Sequence, residues 1–234
     1  NLPLEQVEHK LDALNELLLK EIGVRPQSFR SGRWGVSAKI LNLLASRGYV
    51  VDSSVYPFYR NNFFSCIGAP EHPYWPSFDN ELCPGDQRQL LEIPVTAGFN
   101  IRNFSLGERI HNRLSNPPFN WFKSVGLLWH SKLLRKIYLS PELTKVEDMI
   151  TLVNQSIQKK QPVIHMYLHS SSLIDEATGL LDGPNAFETI CRRIEAVTKY
   201  LVEHVNIKFC TISEAKIILS NLEEQPGQMK GIEP

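Results

Sequence analysis

The sequence predicts an α/β fold with a mainly parallel sheet or barrel and helices outside it. Two observations support this: helical periodicities alternate with short apolar runs, and polar side chains follow those runs. A chain of 234 residues with 42% hydrophobic residues can bury one large core, so we expect a single α/β domain over residues 1–222. The polar segment 223–234, with two prolines and two glycines, is expected to be a disordered tail.

The alternation of helix and strand is clearest near the start of the chain. Apolar residues at spacings of three and four follow Pro3, and Gly23 supplies a C-terminal stop. Gly48 ends a second helix in the same way. The predicted elements of this part are a helix over 3–22, a strand over 26–30, a helix over 36–47, a strand over 49–52 and an aromatic loop over 56–89. A loop of this length and composition is typical of a binding surface.

The later part of the chain continues the same pattern. Thr144 and Glu147 predict a capping box at the start of a helix, and Ser213 predicts the cap of the last helix. The predicted elements are a strand over 90–96, a partly helical stretch over 101–138 centred on 121–136, a helix over 144–160, a strand over 163–169, a helix over 184–204, a strand over 207–211 and a helix over 213–222.

Composition excludes several classes of partner. The 25 basic and 25 acidic side chains cancel, and they form no block that would indicate nucleic acid or an anionic membrane. No apolar stretch is long enough to predict a membrane span. The four cysteines are widely spaced, which favours ordinary thiols over a zinc knuckle. Because the chain opens at Asn1 and runs almost directly into a helix, we expect that its beginning is missing.

Three polar residues stand where predicted strands end, and they are the candidate catalytic residues. They are Arg30, Asp52 and His169. In a parallel barrel the carboxyl ends of the strands open on one rim, so we expect the three side chains in one cleft. His169 has the side chain best suited to general acid or base chemistry near neutral pH.

Each candidate also has a purely structural interpretation. His169 can be a partly buried histidine capped by a neighbouring serine, and Asp52 can form an Asx-turn or a helix cap instead of orienting a histidine or holding a ligand. Arg30 and Arg33 flank Gly32, and they can hold a carboxylate in a bidentate pair or be surface arginines. His165 would lie about 13 Å from His169 along a strand, too far for one metal ion, and is expected to be packed.

The four tryptophans leave a similar choice open. They are Trp34, Trp75, Trp121 and Trp129. An indole can stack on a sugar ring, but scattered tryptophans are also common anchors of cores and loops.

Three segments together resemble a known family. Residues 25–35 read RPQSFRSGRWG, residues 48–55 read GYVVDSSV, and residues 168–170 read LHS. In this order they resemble the polysaccharide deacetylases with a NodB homology domain. The resemblance implies a distorted parallel (β/α) barrel of the NodB type, incomplete at its N-terminus here. It also implies a metal-dependent hydrolase that removes acetyl groups from an N-acetylated sugar or polysaccharide.

The resemblance also assigns roles to residues. Arg30 matches the arginine that tethers the catalytic aspartate base, His169 matches the histidine that protonates the leaving amine, and Asp52 lies in the segment that tunes that histidine. The residues expected to contact the carbohydrate are Arg33, Trp34, Tyr56 and Leu168. A complete member of the family uses a divalent metal ion, usually zinc, to activate the attacking water.

The chain departs from the family pattern in two ways. The aspartate pair and the two-histidine metal motif of the family precede the arginine segment, and none of the first 29 residues here matches them. We therefore expect this chain to contain no metal ligands and to be inactive alone. In addition, Ser31, Val55 and Tyr56 stand where the family has proline, aspartate and tryptophan.

Three functional hypotheses remain open from the sequence. The first is a polysaccharide deacetylase-like hydrolase, of which this chain is the C-terminal portion. The second is a non-catalytic carbohydrate-binding or scaffolding domain that uses the aromatic loop. The third is an unrelated α/β enzyme whose arginine and histidine bind a phosphorylated or carboxylated ligand.

Overall fold

The computed structural model describes residues 2–118, 124–181 and 183–224. It confirms the mixed α/β class, and the described residues form two compact units. Unit 1 contains residues up to Pro94 and the segment from Phe209 onward, and unit 2 contains Val95–Lys208. No closed barrel is formed by the described residues, since their strands are two or three residues long and lie in separate small sheets.

Unit 1 is built on a three-stranded parallel sheet in the order β1-β2-β3. The register places Phe29 opposite Asp52, and Asp52 opposite Glu92. The described elements are α1 (Leu4–Ile22), β1 (Ser28–Phe29), a 3-10 turn (Gly32–Trp34), α2 (Ala38–Ser46), β2 (Val51–Asp52), β3 (Leu91–Glu92) and α7 (Ile212–Glu224).

The helices of unit 1 begin and end largely as predicted. Gly23 is left-handed with φ +76°, and its N–H donates to the carbonyl of Leu19, which confirms it as the C-terminal stop of α1. The Ser37 side chain caps α2. Arg47, at the end of α2, pairs with Glu8 and Asp12 of α1. The apolar core beneath these helices consists of Leu11, Leu41, Leu43, Leu44, Tyr49 and Leu90.

Unit 2 has a two-stranded antiparallel sheet packed against helices. Gly98 pairs with Ile137 in this sheet, and Phe104 packs against Gly98 where a larger residue would not fit. The described elements are β4 (Ala97–Phe99), α3 (Phe104–Leu114), α4 (Ser124–His130), β5 (Lys136–Tyr138), α5 (Val146–Gln158), a 3-10 turn (Ser170–Leu173) and α6 (Ala186–His204).

The predicted strands are longer than the observed ones. The strand over 90–96 is reduced to Leu91–Glu92, and β4 follows as a separate strand. Residues 163–169 form no regular strand. The Thr96 N–H donates to the His165 carbonyl at 2.9 Å, but the His165 N–H donates to the Thr96 hydroxyl at 2.7 Å instead of to a strand carbonyl. The strand prediction for 207–211 is wrong, because these residues form no strand.

Two predicted helix caps are also wrong. The N-cap of α5 is Lys145, whose side chain makes no capping bond, and the helix begins at Val146. The Thr144 hydroxyl donates instead to the carbonyl of Tyr138. The last helix starts before Ser213, and its capping box is formed by Thr211 and Glu214, whose side chains bond reciprocally to backbone N–H groups.

Some predictions fall outside the described residues. Trp121, in the middle of the stretch over 101–138, lies outside them. The described parts on either side of it form α3, α4 and β5. The predicted tail lies outside from residue 225 onward. Within the described ranges, no helix combines the length and the apolar character needed to cross a membrane.

Candidate functional site

A tight turn after β1 presents the arginine segment. Arg30 follows β1 directly and is exposed. Arg33 and Trp34 then adopt left-handed backbone conformations in succession, with φ of 56° and 59°. Two consecutive non-glycine residues in this region carry a conformational cost, and such strain persists where the surrounding contacts hold it. The ring contacts of Trp34 hold this strained backbone in place.

The side chains of Arg30, Trp34 and Tyr56 form a stack, called here the Arg30 stack. The rings of Trp34 and Tyr56 are nearly parallel, 8° apart, with centroids separated by 4.6 Å. The guanidinium carbon of Arg30 lies over the Trp34 ring at 4.9 Å from its centroid. Tyr56 is buried and contacts the ring of Tyr59 on the aromatic loop. Three residues predicted to act on a carbohydrate are thus brought together in unit 1.

The stack changes what Trp34 can do. Tyr56 covers one face of the indole and the Arg30 guanidinium lies over the ring. A sugar ring therefore cannot stack on Trp34 without displacing one of them. Arg30 and Arg33 are both exposed and can present guanidinium groups to a ligand.

Asp52 is completely buried at the end of β2. Its carboxylate accepts the Ser54 hydroxyl at 2.8 Å and the Ser54 N–H at 3.3 Å, the bonding of an Asx-turn. The Ser54 oxygen in turn accepts the N–H of Ser31 at 2.8 Å. Asp52 therefore fixes the loop after β2 to the segment after β1, and this arrangement suits positioning better than contact with a substrate.

Glu92 lies opposite Asp52 on β3 and is a residue that the sequence predictions missed. Both carboxyl groups are completely buried and contact each other. Burial raises the pKa of Glu92 well above its usual range, and the neighbouring Asp52 raises it further. Burial also raises the pKa of Asp52. A lone glutamate inside the apolar run 90–96 was the signal that could have identified it.

Two other buried titratable groups lie near this carboxyl pair. Tyr74 pairs with Glu92 through both backbone hydrogen bonds, and its hydroxyl donates to the carbonyl of Glu81. Burial raises the pKa of the Tyr74 phenol and of the Cys66 thiol. All four groups are acidic in kind, and burial favours the uncharged form of each.

His169 lies in unit 2 and is held by Glu142. Its Nδ1 is 2.7 Å from Glu142 Oε1, and its backbone N–H donates to Glu142 Oε2 at 3.0 Å. The Glu142 side chain has no exposed surface, whereas 49% of the His169 side chain is exposed. A buried carboxylate on Nδ1 leaves Nε2 on the outer side of the ring. The partner of His169 is thus a glutamate and not the neighbouring serine considered from the sequence.

The segment that carries Glu142 is braced from α6. Arg193 donates to the carbonyl of Pro141 at 2.7 Å.

Leu168, predicted to contact the substrate, is half-buried next to His169. His165 is half-buried, and its backbone N–H is bonded to Thr96 as described above. Glu142 was missed because a single glutamate after proline carries no distinctive pattern in the sequence.

The two other tryptophans that the structure describes, Trp75 and Trp129, have cations over their rings. Trp75 is buried, and both Arg88 and Lys216 lie over its ring. Trp129 is 40% exposed with Arg135 over its ring. Trp75 therefore anchors the aromatic loop in unit 1.

That Arg30, Asp52 and His169 share one cleft remains a prediction. Arg30 and Asp52 follow neighbouring parallel strands of unit 1, and their segments are joined through Ser31 and Ser54. His169 belongs to unit 2.

The described residues do not fit a metal centre. No three of their histidine, cysteine, aspartate or glutamate side chains are grouped so as to hold an ion. The divalent metal implied by the resemblance has no ligand set in this part of the chain.

No known family model, curated protein or solved structure matches the chain. The resemblance to polysaccharide deacetylases rests on the quoted residues alone.

Proposed function

We propose that this chain is part of a polysaccharide deacetylase-like hydrolase that removes acetyl groups from an N-acetylated sugar or polysaccharide. The observation that carries the proposal is the exposed His169 ring held by the buried Glu142 carboxylate. The parallel β1-β2-β3 sheet, with functional residues after its strands, supports a barrel of the NodB type as the complete architecture.

In this proposal His169 is the general acid. The imidazolium donates its Nε2 proton to the amine nitrogen as the C–N bond of the acetamide breaks, while Nδ1–H remains bonded to Glu142. Glu142 fixes the ring orientation and stabilises the positive charge before transfer. A positioned acid of this kind contributes about 10²- to 10⁴-fold to a rate.

Arg30 and Arg33 supply the polar contacts in unit 1. The exposed Arg30 guanidinium is suited to hold the carboxylate of the base in a bidentate pair, and stacking on Trp34 restricts its motion. Asp52 acts as a positioning residue for the loop that carries Tyr56. The divalent ion of the family supplies water activation when bound; because the described residues provide no site for it, no step here is assigned to a metal.

A second candidate function is carbohydrate binding without catalysis. It is favoured by the aromatic loop, where Tyr56, Tyr59 and Phe64 form a continuous series of ring contacts and Phe63 is 86% exposed. Exposed aromatic rings on a fixed loop are typical of sugar-binding surfaces.

The test measures acetate release and binding with N-acetylglucosamine oligomers, using the protein as its gene encodes it and added zinc. Acetate release that is lost in H169A and kept in the exposed-histidine control H130A supports the hydrolase. Saturable binding without acetate release supports the binding domain. Acetate release that is unchanged in H169A removes the acid assignment, and the absence of both activities overturns both candidates.

A further inference from the structure

Glu92 has no role in the proposed chemistry, although it forms a buried pair with the positioning residue Asp52. The two residues are register partners on adjacent parallel strands, so their backbones lie about 4.8 Å apart and their side chains share one face. Both side chains are without exposed surface. Two ionised carboxylates this close and this dry would repel each other strongly.

Hydrogen bonding within the pair requires a proton. Glu92 Oε1 accepts the N–H of Val55 at 3.0 Å, and Oε2 has no N–H or hydroxyl donor among the described residues. The Asp52 carboxyl group lies beside the Glu92 carboxyl group, its register partner on β2. Since Asp52 already accepts two bonds from Ser54, a proton held between the two carboxyl groups satisfies Oε2 and removes the repulsion.

The other titratable groups around Glu92 do not offer a counter-charge. Those of the loop are Cys66, Tyr74 and Glu81, all acidic in kind. α7, which packs on β2, carries Glu214 and Lys216; the first bonds to Thr211 and the second lies over Trp75.

The pair is connected to both halves of the Arg30 stack. On one side, the Ser31 N–H donates to Ser54, and the Ser54 hydroxyl donates to Asp52, so the residue next to Arg30 is anchored. On the other side, the Val55 N–H donates to Glu92, so the residue next to Tyr56 is anchored.

We propose that Glu92 is a positioning residue that keeps a proton between itself and Asp52 and thereby holds the loops carrying Arg30 and Tyr56 in the arrangement of the Arg30 stack. Loss of this proton places two buried negative charges together and separates the loops. The proton and the loop positions depend only on unit 1, whereas their effect on a sugar ligand rests on the proposed function.

Three variants test the proton. E92Q keeps the shape, donates an amide hydrogen to Asp52 and still accepts from Val55; E92L removes both bonds; and E16Q removes an exposed carboxylate of the same unit as a control. In the infrared spectrum at neutral pH, the carbonyl stretch of an unionised carboxyl group is expected in the wild type and E16Q and lost in E92Q. Its absence from the wild type overturns the proposal.

Melting temperature against pH gives a second readout. The folded protein holds the Glu92 proton above the ordinary glutamate pKa, so the wild type loses stability as pH rises from that value toward the raised folded pKa. E92Q does not titrate, and its melting temperature is expected to gain on the wild type by about 3 °C per pH unit in this range. Parallel curves for the two proteins contradict the proposal, even if E92L fails to fold.

Near-ultraviolet circular dichroism and sugar binding complete the test. At neutral pH the Trp34–Tyr56 stack is expected to give the same aromatic signal in E92Q and E16Q as in the wild type. At alkaline pH this signal is expected to weaken in the wild type and in E16Q but not in E92Q. A pH-independent signal contradicts the positioning role. If the spectra behave as expected but no protein binds N-acetylglucosamine oligomers, the proposed function fails and the positioning role stands.

Discussion

His169 Nδ1 lies 2.7 Å from Oε1 of Glu142, and the second oxygen of the same carboxylate accepts the His169 backbone N–H at 3.0 Å. One buried side chain therefore fixes both the backbone and the ring of an exposed histidine. A residue held in this way keeps its orientation without losing access to solvent, which is what a general acid requires.

Glu142→Gln tests this relationship. Glutamine has one acceptor oxygen and one NH2 group in place of the two carboxylate oxygens, so it cannot accept from both Nδ1–H and the backbone N–H in this arrangement. It also carries no negative charge beside the imidazolium. We expect acetate release from N-acetylglucosamine oligomers to fall about 10²-fold, because the ring of His169 loses the carboxylate that orients it. Binding of the oligomers is expected to stay unchanged in a titration experiment. An unchanged rate of acetate release would show that Glu142 is only structural.

Trp34→Ala removes the centre of the Arg30 stack. Arg30 then loses its contact with the indole ring and Tyr56 loses one of its ring contacts, so we expect weaker binding of N-acetylated oligomers. Trp34→Phe retains a ring and is expected to keep most of the affinity. The measurement is isothermal titration, with Trp129→Phe as the control outside the stack. An unchanged affinity in Trp34→Ala would contradict a role for the stack in binding.

The Arg33→Gly variant distinguishes the backbone strain at this position from a role of the arginine side chain in binding. Arg33 has φ of 56°, where glycine is tolerated at no steric cost, so the substitution is expected to stabilise the protein by about 0.5–1 kcal/mol in urea unfolding. Arg33→Ala keeps the strain and is expected to give no gain. If Arg33 contacts the carbohydrate, both variants lose the same affinity. A destabilised glycine variant would show that the arginine side chain supports the turn.

Gly98→Ala tests the packing of β4 against α3. An added Cβ would lie 2.4 Å from the ring of Phe104, so the ring or the strand must move. We expect a loss of about 1–3 kcal/mol in unfolding free energy. The control is Gly126→Ala in α4, where nothing lies within 4 Å and alanine favours the helix. Equal stabilities of the two variants would contradict the described packing.

His111 predicts acid sensitivity of unit 2. Burial lowers the pKa of His111 to about 4, so between the ordinary histidine pKa and that value the unfolded chain takes up a proton that the folded chain does not. The stability is present above the ordinary pKa and is lost as pH falls toward about 4. His111→Phe, which keeps an aromatic ring next to Phe99, is expected to remove this part of the acid sensitivity in urea titrations, whereas H130Q leaves it intact. Identical pH dependence in H111F and the wild type would contradict the assignment.

Helices were predictable from the sequence where their signals are local. α1 carries its apolar spacing and its terminal Gly23 in one continuous segment, and a left-handed glycine ends the helix wherever the helix lies. Capping was less predictable because it depends on competition: Thr144 has the right spacing to Glu147, but its hydroxyl bonds to Tyr138. Nothing within residues 144–147 indicates that partner.

In the candidate site too, some features follow from local sequence and others depend on distant residues. Arg30, Asp52 and His169 were chosen as candidates because reactive side chains at predicted strand ends form a local pattern. Arg30 and Asp52 do stand at strand ends, whereas His169 follows residues that form no regular strand. The lengths of the strands could not be predicted from the sequence, because apolar runs predict burial without specifying which backbone groups pair. The role of Asp52 changed most: the sequence indicated a reactive carboxylate, and the structure shows a buried one bonded to Ser54 and paired with Glu92.

The sequence by itself determined the α/β class, the positions of most helices and the residue types available for chemistry, because these depend on periodicity and on neighbours in the chain. Only the tertiary structure decided the partners: Glu142 for His169, Glu92 for Asp52, and Tyr56 for Trp34. These partners are 27, 40 and 22 residues apart in the chain, respectively. Strand register and loop closure bring such distant residues within contact, and that contact sets the orientation of their side chains.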